Sequence, residues 1–168
     1  FTHDVRAVND THSQLNAYCS PKGRVLVVFR LFKRVDVYYL ALPHELVDAM
    51  LKRLRLFVLR AQVQLSDAGA TLAHIGLAGP TAEDSLRTLM GSIPAHVNDS
   101  IHIPYAGGTL TILRVPGPAA RFEIIGDVAP VKTLWQDLAA HAMPVGAAPW
   151  ALLDIQSGIP TIHSATAD

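Results

Sequence analysis

The sequence is poor in cysteine and has no excess of charge of either sign. Cys19 is the single cysteine among 168 residues, so no internal disulfide can form, which fits a reducing compartment such as the cytoplasm. The 14 basic residues balance the 14 acidic ones, which excludes a chain-wide basic surface for nucleic acid but leaves room for a local patch. No apolar run approaches the roughly 20 residues of a membrane helix. We therefore expect a cytoplasmic protein with no membrane partner.

Familiar metal and nucleotide motifs are also missing. The eight histidines show no zinc-ligand spacing, so we predict no metal site. Gly76 and Gly79 lack the third glycine of a dinucleotide-binding loop, and no phosphate-binding P-loop sequence occurs. His74 lies in a strand pattern, where a histidine satisfied in the core or at an interface is the usual case. The sequence thus contains no self-evident catalytic motif.

Strand and helix patterns along the chain predict an α+β protein. Half of the residues are hydrophobic, enough for a substantial core. Apolar and β-branched runs predict strands at 14–19, 24–32, 35–42, 63–67, 71–79, 101–105, 109–115 and 121–127, and helical spacing predicts helices at 44–60, 81–90, 129–142 and 149–158. We expect two ferredoxin-like lobes with mainly antiparallel sheets, over residues 1–68 and 69–168. The first lobe needs upstream residues to complete its unit, and both ends look cut from a longer chain.

Two stretches carry side chains suited to a ligand or partner. Trp150 offers a flat ring near the start of the last helix, and Gln156 offers a donor and acceptors, so the pair suits a heteroaromatic ligand. On these residues alone, packing of Trp150 between the lobes and capping by Gln156 is an equal alternative. The basic run from Lys52 to Arg60 is typical of a solvated helix face, and contact with RNA is the less favoured interpretation.

Five separated stretches occur together in a known family. They are FTHDV (1–5), QLNAYCSPKGRVLVVFRLF (14–32), FVLRAQVQL (57–65), GLAGP (76–80) and WALLDIQSGIP (150–160). In this order they resemble the YgfZ family, which comprises folate-binding proteins related to the aminomethyltransferase (T-protein) of the glycine cleavage system. The order of the motifs across nearly the whole chain is more specific than any one of them.

The resemblance implies a fold, a cofactor and partners. The fold would be a three-domain ring around a folate pocket, with the two lobes as its first domains and a C-terminal β-barrel that is absent here. The cofactor would be tetrahydrofolate or a derivative. The protein would be a monomer that supports iron–sulfur enzymes, including the radical enzymes that methylthiolate tRNA, with no direct nucleic-acid contact. The family's KGCYxGQE segment does not occur in these residues.

The resemblance also implies site residues. Trp150 lies where YgfZ proteins keep a folate-contacting tryptophan, and Gln156 would hydrogen-bond the pterin edge in place of a transferase glutamate. Arg24 or Arg30 would meet the glutamate tail of the ligand. We assign no catalytic residue.

One departure from the transferases bears on activity. Their matching hairpin strand carries an acidic pair, of which one carboxylate serves folate binding and catalysis, but this chain has Val27 and Val28 there. A valine can neither orient an amine nucleophile nor stabilise a cation. We therefore favour an accessory folate-binding protein, and keep a folate-dependent aminomethyl or C1 transferase as the alternative.

Overall fold

The computed structural model describes residues 1–166 of the chain. Within them lie seven strands, β1 (Gln14–Cys19), β2 (Val25–Arg34), β3 (Val37–Ala41), β4 (Leu72–Ala78), β5 (Ser100–Tyr105), β6 (Gly108–Arg114) and β7 (Arg121–Asp127), and four α-helices, α1 (Val47–Arg55), α2 (Ala82–Met90), α3 (Val128–Leu138) and α4 (Ala147–Gln156). The strands form two antiparallel sheets, ordered β1-β2-β3 and β4-β7-β6-β5. The predicted α+β class with antiparallel sheets is confirmed. None of the helices in this part of the chain has the length and apolar character needed to cross a bilayer.

The first sheet is organised by a hairpin with local turn chemistry. Gly23 adopts a φ of +80° in the turn between β1 and β2, a conformation that glycine tolerates without steric cost. Across this turn the Ser20 amide donates a hydrogen bond to the Arg24 carbonyl. α1 covers one face of the sheet, where Met50 packs in a cluster with Val27. The hairpin predicted over 14–32 is thus confirmed.

Two predictions for the segment after the first sheet are corrected: the helix forms but is shorter than predicted, and the strand does not form. The helix predicted over 44–60 is a short 3-10 turn, His44–Leu46, followed by α1, which ends at Arg55. The strand predicted over 63–67 is irregular. A strand needs a neighbour for its backbone groups, and no strand within residues 1–166 pairs with this segment. Instead, the Leu65 carbonyl accepts a hydrogen bond from Arg55 Nη2 at 3.1 Å.

The second sheet differs in order from a ferredoxin-like unit. Its elements follow as β4-α2-β5-β6-β7-α3, whereas a ferredoxin-like unit runs β-α-β-β-α-β. The ferredoxin-like part of the prediction is therefore corrected, because a third consecutive antiparallel strand replaces the second crossover helix. The core on one face of this sheet includes Leu86 of α2, Ile124 of β7 and Leu134 of α3, all fully buried.

α3 begins directly after β7 at a charged residue. Asp127 holds the N-cap position, but its side chain makes no capping hydrogen bond. Its Oδ2 lies 3.7 Å from Arg34 Nη2 instead, so this carboxylate pairs with the first sheet rather than capping the helix. The helix ends at Leu138 rather than at residue 142 as predicted.

β2 contributes to two cores because its side chains alternate between the faces of the sheet. Val27 and Leu31 pack in the cluster that contains Met50 of α1. Phe32 lies on the opposite face and packs against the second sheet in a cluster with Ile125. The two sheets therefore contact each other through β2.

Candidate functional site

Charged side chains gather where β7 meets β2. Because residues two apart on a strand share a face, Arg121, Glu123 and Ile125 lie on the same side of β7. Arg30 shares the face of β2 that carries Phe32, which packs with Ile125. This alternation places Arg30 Nε 3.8 Å from Glu123 Oε2. The seam between the sheets thus contains ionised groups as well as apolar contacts.

Glu123 is the centre of the inter-sheet ion cluster, our name for Arg30, His74 and Glu123. His74 Nε2 lies 3.6 Å from Glu123 Oε2. Burial raises the pKa of the Glu123 carboxyl, but His74, Arg30 and Arg121 outweigh burial, and the net effect is a pKa below the usual value. The carboxylate is therefore ionised at neutral pH.

The inter-sheet ion cluster has an unused acceptor and an open side. Glu123 Oε2 is buried and accepts no hydrogen bond from residues 1–166. The His74 side chain is 44% exposed, so the cluster borders solvent there. No group of three or more His, Cys, Asp and Glu side chains in this part of the chain is placed to hold a metal ion. Glu123 Oε2 is therefore shielded from solvent and lies near Arg30 and His74, whereas the accessible side of the cluster is at His74.

Arg30 fixes the position of β2 relative to the second sheet. Its residue is only 4% exposed, and burial lowers the pKa of its guanidinium, partly offset by Glu123. Nη1 donates to Asn98 Oδ1 at 2.9 Å and to Ser13 Oγ at 3.5 Å. These bonds reach the segment before β1 and the loop before β5. Arg30 is therefore a structural link as well as part of the site.

A second group, which we call the α4 clamp, consists of Arg121, Trp150 and Asp154. Arg121 Nη2 donates to Asp154 Oδ1 at 2.6 Å and to the Trp150 carbonyl at 3.3 Å. The guanidinium carbon lies 3.8 Å from the centroid of the Trp150 ring, which is a close cation–π contact. Arg121 Nε is buried and donates to no acceptor within residues 1–166.

The ring of Trp150 rests directly on the sheet at Gly76. A Cβ atom built at Gly76 would overlap three atoms of the Trp150 ring, so only glycine permits this approach. Gly76 pairs with Glu123 across β4 and β7. The α4 clamp and the inter-sheet ion cluster are therefore neighbours on one face of the second sheet.

A pocket of about 220 Å³ adjoins the α4 clamp. Its lining is mostly apolar and contains one charged residue, Arg121: Ala78, Gly79, Pro118, Ala119, Arg121 and Leu153. Pockets that hold drug-sized ligands are about 300–1,000 Å³. This pocket is therefore large enough for only part of such a ligand.

The structure brings together two of the four predicted folate-binding residues. Trp150 in the α4 clamp and Arg30 in the inter-sheet ion cluster lie at the same seam. Gln156 is exposed in the last turn of α4, and Arg24 is exposed in the β1–β2 turn. Six residues of extended chain, about 20 Å, separate Arg24 from Arg30. Arg24 is thus not brought to the seam, and the folate contacts of all four residues stay predictions.

The two valines at the transferase carboxylate positions face opposite ways. Val27 is 1% exposed and belongs to the core beneath α1. Val28, one residue later on β2, lies on the face that carries Arg30. Only Val28 could therefore present a side chain toward the seam.

Sequence reasoning missed most of the ionised residues of the site. It treated His74 as a core or interface histidine, and the structure places it at the interface beside Glu123. Glu123, Arg121 and Asp154 were not singled out, because each acquires its role from a partner far away in the chain. One signal was available: Arg121 and Glu123 alternate with Phe122 and Ile124, which are fully buried. Polar residues at that spacing on a strand covered on both faces indicate a buried polar site.

The chain resembles a curated protein over nearly its whole length. It is 27% identical over 165 residues to the tRNA-modifying protein YgfZ of Colwellia psychrerythraea, an alignment that covers 98% of this chain and 49% of the relative. No family model matches the chain. The chain spans about half the length of the curated relative that it matches. This distant relative supports the resemblance to the YgfZ family that the five motifs indicate.

Proposed function

We propose that this chain forms part of a tetrahydrofolate-binding accessory protein that supports tRNA modification and the iron–sulfur enzymes that perform it. The tRNA-related role is supported by the resemblance to a relative named as a tRNA-modifying protein, which extends over 98% of this chain. The folate and iron–sulfur roles are supported by the ordered motifs, and for folate also by the chemistry of the seam. The protein acts in the cytoplasm and has no membrane partner.

The folate site is proposed at the pocket beside the α4 clamp. The observation that carries this proposal is the contact of Trp150 with Arg121, which stacks an aromatic ring on the buried guanidinium that lines an apolar pocket. A pterin is flat and carries hydrogen-bond donors and acceptors on its edges, so it suits such a lining. The volume of about 220 Å³ suits the bicyclic head, with the remainder of the folate outside.

Two further predicted residues fit this placement to different degrees. Gln156 follows Leu153, which lines the pocket, by three residues on α4, so the two side chains are neighbours on the helix surface, although Gln156 itself is not among the lining residues. Arg30 is already bonded to Asn98 and paired with Glu123. We therefore assign Gln156 to the ligand edge and leave Arg24, on the distant turn, outside the proposed site.

Titration of tetrahydrofolate into the full-length protein under reducing conditions tests the proposal. We expect saturable quenching of tryptophan fluorescence that is lost in a Trp150→Phe variant. Trp135→Phe is the matched control, because Trp135 lies on α3 and is 42% exposed. Calorimetry on the same variants separates loss of binding from loss of the fluorescence signal. Absence of saturable binding by both methods would reject the proposal.

The alternative, a folate-dependent aminomethyl or C1 transferase, has one observation in its favour. Glu123 supplies an ionised carboxylate at the seam, on the side that Val28 faces, although Val28 itself is apolar. Its pairing with Arg30 and His74 ties this carboxylate to the protein, which is why we place the alternative second. Formaldehyde release or aminomethyl transfer from a folate adduct, abolished by Glu123→Gln, would favour it.

A further inference from the structure

Basic side chains without an acidic partner concentrate in the β1–β2 turn and in and just after α1. Within residues 1–166, every Lys and Arg outside these segments, Lys132 excepted, forms an ion pair with a carboxylate. The exceptions form a group that we call the hairpin–helix basic surface: Lys22, Arg24, Lys52, Arg53, Arg55 and Arg60. All six are exposed. Exposed cations are usually balanced nearby, so this grouping requires an explanation.

Contacts between α1 and the first hairpin bring the two parts of this surface together. Arg53 Nε donates to Tyr18 Oη at 3.1 Å, and its guanidinium carbon lies 5.5 Å from the Tyr18 ring centroid. Tyr18 is close to the end of β1, and Lys22 follows it by four residues, which span at most about 14 Å. The turn with Lys22 and Arg24 therefore lies beside the C-terminal half of α1.

The chain segments that carry this surface contain no acidic residue. No Asp or Glu occurs between Asp10 and Asp36 or between Asp48 and Asp67. Because the net charge of the chain is zero, the excess of acid lies elsewhere, and the molecule presents one basic side to an approaching polyanion.

Flat and apolar side chains border the cations. Phe57 is 65% exposed just after α1, and the Tyr18 hydroxyl is held by Arg53. Exposed aromatic rings beside phosphate-binding cations are the arrangement that single-stranded and looped RNA uses, since each unpaired base can stack. The sequence alone lacked this feature, because Tyr18 and Arg53 are 35 residues apart.

We propose that the hairpin–helix basic surface binds RNA through its phosphates, with Phe57 available to an unpaired base. The choice of tRNA as the RNA rests on the proposed function, whereas the surface itself rests on charge and geometry. Arg24, which lies away from the folate seam, acquires a role here as a phosphate contact. For this surface the proposal departs from the expectation of no direct nucleic-acid contact.

The test measures binding of an unmodified tRNA transcript to the full-length protein by fluorescence anisotropy across a salt series. With six phosphate contacts we expect log K to fall with log salt at a slope of about −4 to −5. The double variants K22E/R24E and K52E/R60E should each weaken binding by at least about tenfold and reduce the slope by about two. Arg53 and Arg55 are left unchanged because they donate hydrogen bonds to the Tyr18 hydroxyl and the Leu65 carbonyl.

The matched control is R6E/K132E, which makes the same charge change at exposed positions outside the surface. The control should bind tRNA within about twofold of the unchanged protein. Equal weakening by the control, no tRNA binding at about 50 mM salt, or binding to vesicles with phosphatidylserine in place of tRNA would each overturn the proposal.

Tetrahydrofolate titration of the same variants distinguishes the RNA proposal from the folate proposal. Folate binding that survives the reversals supports two distinct sites, and folate binding absent throughout rejects only the folate proposal.

Discussion

Arg121 contacts Trp150 in two ways: its guanidinium carbon lies 3.8 Å from the ring centroid, and its Nη2 donates a hydrogen bond to the Trp150 carbonyl. α4, which carries Trp150, contains no fully buried residue. Arg121, by contrast, is 1% exposed. The α4 helix at the proposed ligand site is therefore attached to the sheet through the buried cation Arg121 and through the contact of the Trp150 ring with Gly76.

Removal of the carboxylate that pairs with Arg121 should lower the free energy of unfolding. Asp154→Ala leaves a buried guanidinium without its charged partner, and breaking such a pair costs about 3 kcal/mol of unfolding free energy. Urea denaturation followed by circular dichroism measures the change. Arg87→Ala is the control, because it breaks an exposed ion pair with Glu83 and should cost less than about 1 kcal/mol. Equal effects of the two changes would contradict the clamp.

Adding one methyl group at Gly76 should displace Trp150. Gly76→Ala places a Cβ within the ring, and overpacking of this kind costs about 1–3 kcal/mol. We expect a lower unfolding midpoint together with a shift in tryptophan emission. In a Trp150→Leu background the same methyl group should cost much less, because the ring that it meets is gone. Additive effects of the two substitutions would show that the ring is not the obstacle.

Substitution by aspartate should destabilise the protein at Val27 but not at Val28. Val27→Asp buries an unpaired carboxylate in the apolar core beneath α1 and should destabilise the protein by more than about 4 kcal/mol. Val28→Asp places the same group on the face with Arg30 and should leave the fold intact. Thermal unfolding compares them directly. If Val28→Asp also unfolds the protein while Val28→Asn does not, the seam does not accept a further negative charge, and the Val28 side chain still points toward the seam. If Val27→Asp, Val28→Asp and Val28→Asn all unfold the protein, the placement of Val28 at the seam is refuted.

Stability should fall in acid because of Glu123. Burial opposes ionisation of this carboxyl, but His74, Arg30 and Arg121 lower its pKa below the usual 4.5. A group with a lowered pKa in the folded state stabilises the fold above its unfolded pKa, and this contribution is lost as the pH falls through the folded pKa. The contribution is thus fully present at neutral pH and declines below about pH 4.5.

Urea midpoints at about pH 7 and about pH 3.5 measure this loss. Glu123→Gln should reduce the difference between the two midpoints, because an amide cannot be protonated in this range. Asp84→Asn, at an exposed position of α2, is the control and should leave the difference nearly unchanged. A Glu123→Gln variant with the full acid loss would refute the role of the inter-sheet ion cluster.

The features that could be predicted from the sequence are those with local causes. The β1–β2 hairpin follows from Gly23 in its turn and from the apolar run after it. The 63–67 segment has a strand pattern as well, but pairing needs a partner that a local pattern cannot supply. α3 ends at Leu138, its last buried residue, and Ala139 and Ala140 beyond it remain exposed despite their high helix propensity.

The candidate site was predictable only in part for the same reason. Trp150 was singled out from its ring near the start of the last helix and then from the family resemblance, Arg30 from the resemblance alone, and the structure places both at the seam. Glu123 and Asp154 depend on partners contributed by other strands and helices, so no window of sequence contains the pair. Gly76 was weighed as part of a nucleotide loop, whereas its absent side chain makes room for a ring 74 positions later.

The contact of β2 with the second sheet also affects how this protein can be divided. Phe32 and Arg30 extend from the first sheet and pack against the second. Separation of the two halves of the chain would therefore expose apolar surface on both of them to water. Cleavage near residue 68 would leave Glu123 without Arg30 and expose Phe32 in one fragment and Ile125 in the other. A recombination event or an engineered chimera that exchanges one half must bring the matching half with it, so the two sheets are inherited together.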